Sequence, residues 1–322
     1  MLRAPNTTGI LKGVNALKRT KKEQHDARFI FLMLFPALLV PICMTYYPMF
    51  KGIVMAFQNY KLTNINNIYW NNFANFKQLF TRSITNEFYG TMKNTLIWVV
   101  VSLAFQFLVG FGLALVLKKK FRGSSLYQGL VFFPWAVSGF VIALIWRWMF
   151  NGTSGVFNDM LMRMGLIGEP VGWLAGKNTA MLCCVITNIW YGVPFFTIMI
   201  SAALRGIDPG LYEAAEVDGA NPLQRFWAIT VPSISPVLKL TLLLRVIWIF
   251  NFAEIIYTMT KGGPSGSTEI ITTLMMKFID SFDYGMASAT GVVCIIILTI
   301  FASSYVGMLK MEDAEWVVSS DL

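Results

Sequence analysis

Charge is scarce in this chain of 322 residues: 13% of positions are Asp, Glu, Lys or Arg, 56% are hydrophobic, and the mean hydropathy is +0.58. A soluble globule carries roughly 25% charged residues, so that class is excluded. Histidine is reduced to one residue, His25, and the four cysteines, Cys43, Cys183, Cys184 and Cys294, fall in apolar runs without metal-ligand spacing. Packing is the expected role of the thiols, and no metal site is expected. The chain has no nucleophile elbow, no H-E-x-x-H pair and no paired acids within one apolar run, so no catalytic residue is expected. The stretch GWLAGKNT separates Gly172 from Gly176 by three residues and places Asn178 after the lysine. A phosphate loop needs four residues there and Ser or Thr after its lysine, so ATP is not bound in that way.

What the chain has instead is long apolar runs. Crossing the ~30 Å hydrocarbon core takes roughly 20 helical residues. Six runs of about that length are expected to span, at 29–47, 95–117, 126–150, 179–204, 236–259 and 285–309. Blocks such as LIWVVVSLAFQFLVGFGLALVL do not alternate, which excludes strands of a transmembrane barrel. The expected fold is all-α and polytopic.

Basic residues set the orientation. Arg3, Lys12, Lys18, Arg19, Lys21, Lys22 and Arg28 precede the first run, and KKKFRGSS, from Lys118, packs four more into eight positions. The positive-inside rule then keeps the 1–28 tail, and after six crossings the 310–322 tail, cytoplasmic. The net charge of +9 is accounted for by topology, and no nucleic-acid partner is expected. The first run is too long for a signal-peptide core and lacks a small-residue cleavage site, so it is read as a span. Ile10, Leu11, Val14 and Leu17 have helical spacing among lysines; a helix lying on the membrane lipid and an unstructured tail are both open.

The segment 205–235 is polar out of proportion to its surroundings. Asp208 and Pro209 read as N-cap and first helical position, with Gly219 ending that helix. Asn221, Pro222 and Gln224 repeat the start signal with the spacing of a capping box. Two short helices joined by a tight turn are expected, the second ending at Pro232. Ala214 and Ala215 keep one side slim, and Glu213, Glu216 and Asp218 offer acceptors to a basic partner. A docking element and a plain connector are both open on these grounds.

The stretch EAAEVDGANPLQRFWAITVP closely resembles the EAA signature of permease subunits of binding-protein-dependent ABC importers. Glu213, Ala214, Ala215, Gly219, Ile229 and Pro232 stand in register, with Val231 in place of the usual leucine. FFPWAVSGFVIALIWRWMFN, NIWYGVPFF and TKGGPSGSTE resemble the carbohydrate branch, relatives of the maltose permease, and the likeness covers roughly residues 29–309. The resemblance implies a type I importer permease in which 205–235 is a coupling helix seated on a cytoplasmic ATPase through Glu213, Ala214, Ala215, Asp218, Gly219, Ile229 and Pro232. It implies as partners a second permease, two ATPase copies and an extracytoplasmic solute-binding protein, with ATP and Mg held by the ATPase and no cofactor held by this chain. The location implied is the cytoplasmic membrane of a bacterium or archaeon.

The resemblance also places the solute path on the fourth and fifth spans, at Asn188, Tyr191, Gly192 and Phe195 and at Arg245, Trp248, Asn251 and Glu254. An amide for hydroxyls and aromatic faces for C–H surfaces suit a sugar. Arg245 lies nine residues beyond Pro236, which at 1.5 Å per residue is ~14 Å, near the midplane. The maltose-type pattern has a small neutral residue near that point, so Arg245 departs from it. An acidic solute group, an ion pair with the second permease and an internal acid are the candidate partners. Arg147, between Trp146 and Trp148, is expected to snorkel in an aromatic belt at the outer end of the third span. A self-sufficient channel or secondary carrier is the rival function, disfavoured by the lack of inverted halves and of an intramembrane carboxylate relay.

Overall fold

The computed structural model describes the backbone of residues 21–81, 87–118 and 121–320, and the side chains of the same residues except 21–27 and 311–320. The surface helix expected around Ile10–Leu17, the basic residues Arg3, Lys12, Lys18 and Arg19, and Lys119 and Lys120 lie outside the described residues.

Two units compose the chain. The first, ending at Val54, holds α1 (Lys21–Pro41), which passes through a π-helical turn (Ile42–Tyr46) into α2 (Tyr47–Met55), all of which but its last residue lies in this unit. The apolar stretch Arg28–Met55 is long enough to cross a membrane. Pro36 and Pro41 lie inside α1, and the wider turn follows directly after Pro41, where the helical bond that a proline cannot make is missing.

In the second unit come α3 (Ala74–Thr81), α4 (Glu87–Lys118), α5 (Ser124–Phe132), α6 (Gly139–Met149), α7 (Val156–Arg163) and α8 (Lys177–Arg205). They are followed by α9 (Pro209–Val217), α10 (Pro222–Arg225), α11 (Val231–Asn251), α12 (Glu254–Met259), α13 (Ile271–Asp280) and α14 (Tyr284–Ser320). The main pairing is α4 against α8, which meet along much of their length. Gly110 of α4 permits it, since a Cβ there would fall 2.6 Å from Cβ of Phe196. Around this pair lies a core containing Trp98, Cys183, Cys184, Ile249, Ile255 and Leu274, with a second cluster of Ala114, Phe196, Ile200, Leu204 and Ile234. The cysteines are free thiols; Cys183, Cys184 and Cys294 are buried, as packing requires, whereas Cys43 is exposed.

Among the described residues five helical stretches are long and apolar enough to cross a membrane, six if a bent pair is one span. The bent pair corrects the run expected at 126–150: α5 with its 3-10 extension to Ala136 meets α6 at 98°. Pro134 and the extended Val137 and Ser138 break the ladder. The fifth span is also longer than the expected 236–259. It begins at Pro222, because apolarity marks the hydrocarbon-facing part of a helix and not its polar end. It bends out of helical geometry at Phe252 before α12 starts. The last helix likewise continues past 309, to Ser320.

Candidate functional site

At the end of α8 the chain folds as its capping residues dictate. Asp208 accepts a hydrogen bond from Gly210 N at 2.9 Å, and Pro209 opens α9. The helix closes with Gly219 at φ +79° and with Ala220 N donating to Ala215 O at 2.9 Å. Asn221 Oδ1 accepts from Gln224 N at 2.9 Å while Gln224 Oε1 accepts from Asn221 N at 2.8 Å, a complete capping box.

The expected second short helix is corrected. After α10 the chain runs through a π-helical turn, Phe226–Thr230, straight into α11, so Pro232 lies in a first turn and terminates nothing. The wider turn accommodates a ring that would otherwise press on the preceding carbonyls, and Ser233 Oγ takes the Ile229 carbonyl at 2.6 Å.

Glu213, Ala214 and Asp218 are exposed, Ala215 and Ile229 half-buried, and Pro232 exposed. Glu216 is used internally, bonded to Arg225 Nη1 at 2.8 Å across the turn. The element carries an apolar surface that charge-based reasoning missed: Val217 is 88% exposed, with Leu223 and Trp227 also exposed. Tyr212 anchors it, its hydroxyl 2.8 Å from Thr230 Oγ1 and accepting from Lys118 Nζ at 3.1 Å.

A cavity of about 280 Å³ lies between α8, α11 and the bent pair, lined by Trp135, Asn188, Tyr191, Arg245, Trp248, Ile249, Asn251 and Phe252. Five of the eight expected path residues therefore meet in one place. Phe195 lies beside them, with Trp135 and Trp248 rings at 5.6 and 5.3 Å and the Arg245 guanidinium 5.4 Å above its face. Tyr191 stacks on Phe252 at 5.3 Å with the rings 7° from parallel. Gly192 is buried beneath the arginine, and a Cβ there would collide with both Arg245 and Gln106. Glu254 is not among the residues lining the cavity, but its carboxylate lies against Gly139 at the start of α6, where the ring of the lining residue Phe252 also lies.

Arg245 is 4% exposed, and among the described residues no acid pairs with it. Its Nε donates instead to Gln106 Oε1 at 2.7 Å. Asn188 is fully buried, and among the described residues neither its side-chain oxygen nor its side-chain nitrogen has a partner. Leaving such an amide unpaired costs ~1–3 kcal/mol, and the amide and the guanidinium together are groups that hydroxyls or an anion could answer. The polar and aromatic residues missed from sequence are Gln106, Trp135 and Phe252. Gln106 had a signal, an amide within an apolar run; the other two are brought in by chain breaks that periodicity does not show.

Arg147 is exposed, and its Nη1 donates to the Thr258 carbonyl in the last turn of α12 at 3.1 Å. Of its neighbours, Trp146 packs inward against Phe150, Phe157 and Trp190, and Trp148 is 74% exposed.

The family model described as binding-protein-dependent transport system inner membrane component matches residues 106–313. The chain is 31% identical over 286 residues to the trehalose/maltose transport system permease protein MalF of Thermococcus litoralis, covering 89% of this chain and 95% of that protein. It is 30% identical over 289 residues to the sulfoquinovosyl glycerol transport system permease protein SmoG of Agrobacterium fabrum, covering 89% and 92%. A chain of a bacterial ABC transporter involved in the import of the acidic polysaccharide alginate superposes with a TM-score of 0.79 at 26% identity, over 90% of this chain and 98% of that one.

Proposed function

Because the chain belongs to the family of inner-membrane components of binding-protein-dependent transport systems, we propose that it is the permease of an ATP-driven importer for an acidic sugar or oligosaccharide. The observation that carries the solute class is Arg245: a buried guanidinium with no acid partner among the described residues, bordering a cavity with an unpaired amide and four aromatic residues in its lining. Such a charge is costly in a membrane span unless something answers it. A carboxylate or sulfonate on a sugar supplies two-pronged acceptors for the guanidinium, hydroxyls meet Asn188, and the sugar's C–H face lies on Trp135, Tyr191 or Trp248. At about 280 Å³ the cavity holds a sugar unit and not a long chain at once. The transport of a trehalose/maltose, a sulfoquinovosyl glycerol and an alginate solute by similar proteins supports a carbohydrate, and the latter two support an acidic one.

The chain works beside a second permease, two cytoplasmic ATPase subunits that hold ATP and Mg, and an extracytoplasmic solute-binding protein, with its own two termini in the cytoplasm. α9 and the turn after it, through Glu213, Ala214, Ala215, Asp218, Gly219, Ile229 and Pro232, meet the ATPase. Pinned caps and the Glu216 to Arg225 link make this element stiff, as transmission between two membrane states requires. Hydrolysis belongs to the partner. The test is purification of the tagged chain in mild detergent with its partners, followed by uptake of matched acidic and neutral oligosaccharides in the wild type and Arg245→Gln. Loss confined to acidic solutes supports the assignment. An equal effect on both refutes the acidic class, and a chain purified without an ATPase refutes the importer.

A further inference from the structure

A buried arginine is ordinarily answered by a carboxylate, and here an amide of the same length stands where that carboxylate would be. Gln106 lies on α4 with no exposed surface. Its Nε2 donates to the Asn188 backbone carbonyl at 2.8 Å, which leaves Oε1 facing Arg245 Nε at 2.7 Å. Turned over, the amide would set donor against donor, so its orientation is fixed. Gly192 completes the arrangement, because the space its side chain would take is filled by the guanidinium and the Gln106 amide together. The guanidinium is thus held at its Nε edge by a neutral group, while its Nη donors have no protein partner among the described residues and the side chain borders the cavity. Asn188, unpaired and fully buried, adjoins the same space.

We propose that Gln106 is a positioning residue that determines specificity: it orients Arg245 without neutralising it, so that the counter-charge must come from the solute. Glutamate at the same position would keep the bond to Nε and cancel the charge, at the loss of the bond to the Asn188 carbonyl, turning the cavity into one for neutral sugars. This rests on the reading that solute enters the cavity.

The experiment is equilibrium binding to the assembled complex in lipid nanodiscs, with the solute-binding protein omitted so that its own selectivity does not contribute. Trigalacturonate and maltotriose serve as acidic and neutral probes. In the wild type, trigalacturonate binds at least about tenfold tighter, as expected for a charge-assisted pair in a low-dielectric site. In Gln106→Glu the preference falls to within about twofold through loss of the acidic probe alone. A wild-type preference that persists in an assembled Gln106→Glu complex, or falls because both probes weaken equally, overturns the proposal. Should that variant fail to assemble, Gln106→Met, which cannot accept from Nε, decides the question, and an unchanged preference again overturns it. Arg245→Gln separates the two levels. If it alters neither affinity, the solute reading fails and this proposal with it; if it removes the preference while Gln106→Glu does not, only the role of Gln106 fails.

Discussion

Gly192 and Arg245 share one volume: a Cβ on the glycine would fall on the guanidinium and on the Gln106 amide that holds it. Gly192→Ala must displace one of them, an overpacking that costs about 1–3 kcal/mol. The expected outcome is a complex with a lowered unfolding temperature and weakened binding of acidic solute. Gly112 of α4 has nothing within 4 Å of a built Cβ, so Gly112→Ala is the matched control and leaves both unchanged. Equal behaviour of the two variants in thermal unfolding would contradict the packing described.

Gly219 makes the opposite case. Its φ is +79°, yet a Cβ there meets open space, so the penalty of substitution is backbone strain and not collision. For an L residue that strain is roughly 1–2 kcal/mol, less for asparagine. Gly219→Val should leave the chain abundant in the membrane while reducing solute-stimulated ATP hydrolysis by the complex, and Gly219→Asn should retain most of it. Matching hydrolysis rates for Val and Asn would show that the positive φ is not what the element requires.

Asn158 ties the connection between α6 and α8 together. Its Nδ2 donates to the Gly152 and Val171 carbonyls at 3.0 Å each, and its Oδ1 accepts from Val171 N at 3.2 Å and Trp173 Nε1 at 2.8 Å, all at 1% exposure. Asn158→Ala leaves several buried groups unpaired at ~1–3 kcal/mol each before rearrangement. Lower thermal stability and a shifted tryptophan emission, reported against a Trp173→Phe background, are the expected readouts. An unchanged unfolding curve would mean that solvent replaces the asparagine.

How far the sequence alone reached follows from what each signal encodes. Run length located α4, α8 and α14 because apolarity is dictated residue by residue by the surroundings of a span. The caps at Asp208, Asn221 and Gln224 were legible because each is a local bond between a side chain and a backbone group two or three residues away. The bend before Gly139 was not read, although Pro134 and Ser138 signal it, because an unbroken apolar run masks a break in the helical ladder. The Arg245 site was half legible. A midplane charge is visible in the sequence, but the Gln106 acceptor is 139 residues away and only helix packing brings it there.

Lys277 of α13 links separate parts of the second unit, its Nζ 3.1 Å from Glu87 Oε1 at the start of α4 and 3.2 Å from Glu269 Oε2. Partial burial works against its charge, but the field of Glu269, with bonds to Glu269 and Glu87, outweighs it and raises the proton affinity above that of an ordinary lysine. A raised value in the folded state means that the contribution to stability is fully present below the ordinary lysine range and is lost only as pH climbs through the raised one. At pH 9, where reaction with an amine-selective ester follows the neutral fraction, the raised proton affinity should slow the labelling of Lys277. Glu269→Gln should speed the labelling, with Glu87→Gln doing so less because its charge contributes less to the shift. Peptide mass spectrometry over a short time course reads all three rates; equal labelling of Lys277 in wild type and Glu269→Gln would show that the carboxylate does not hold the proton there.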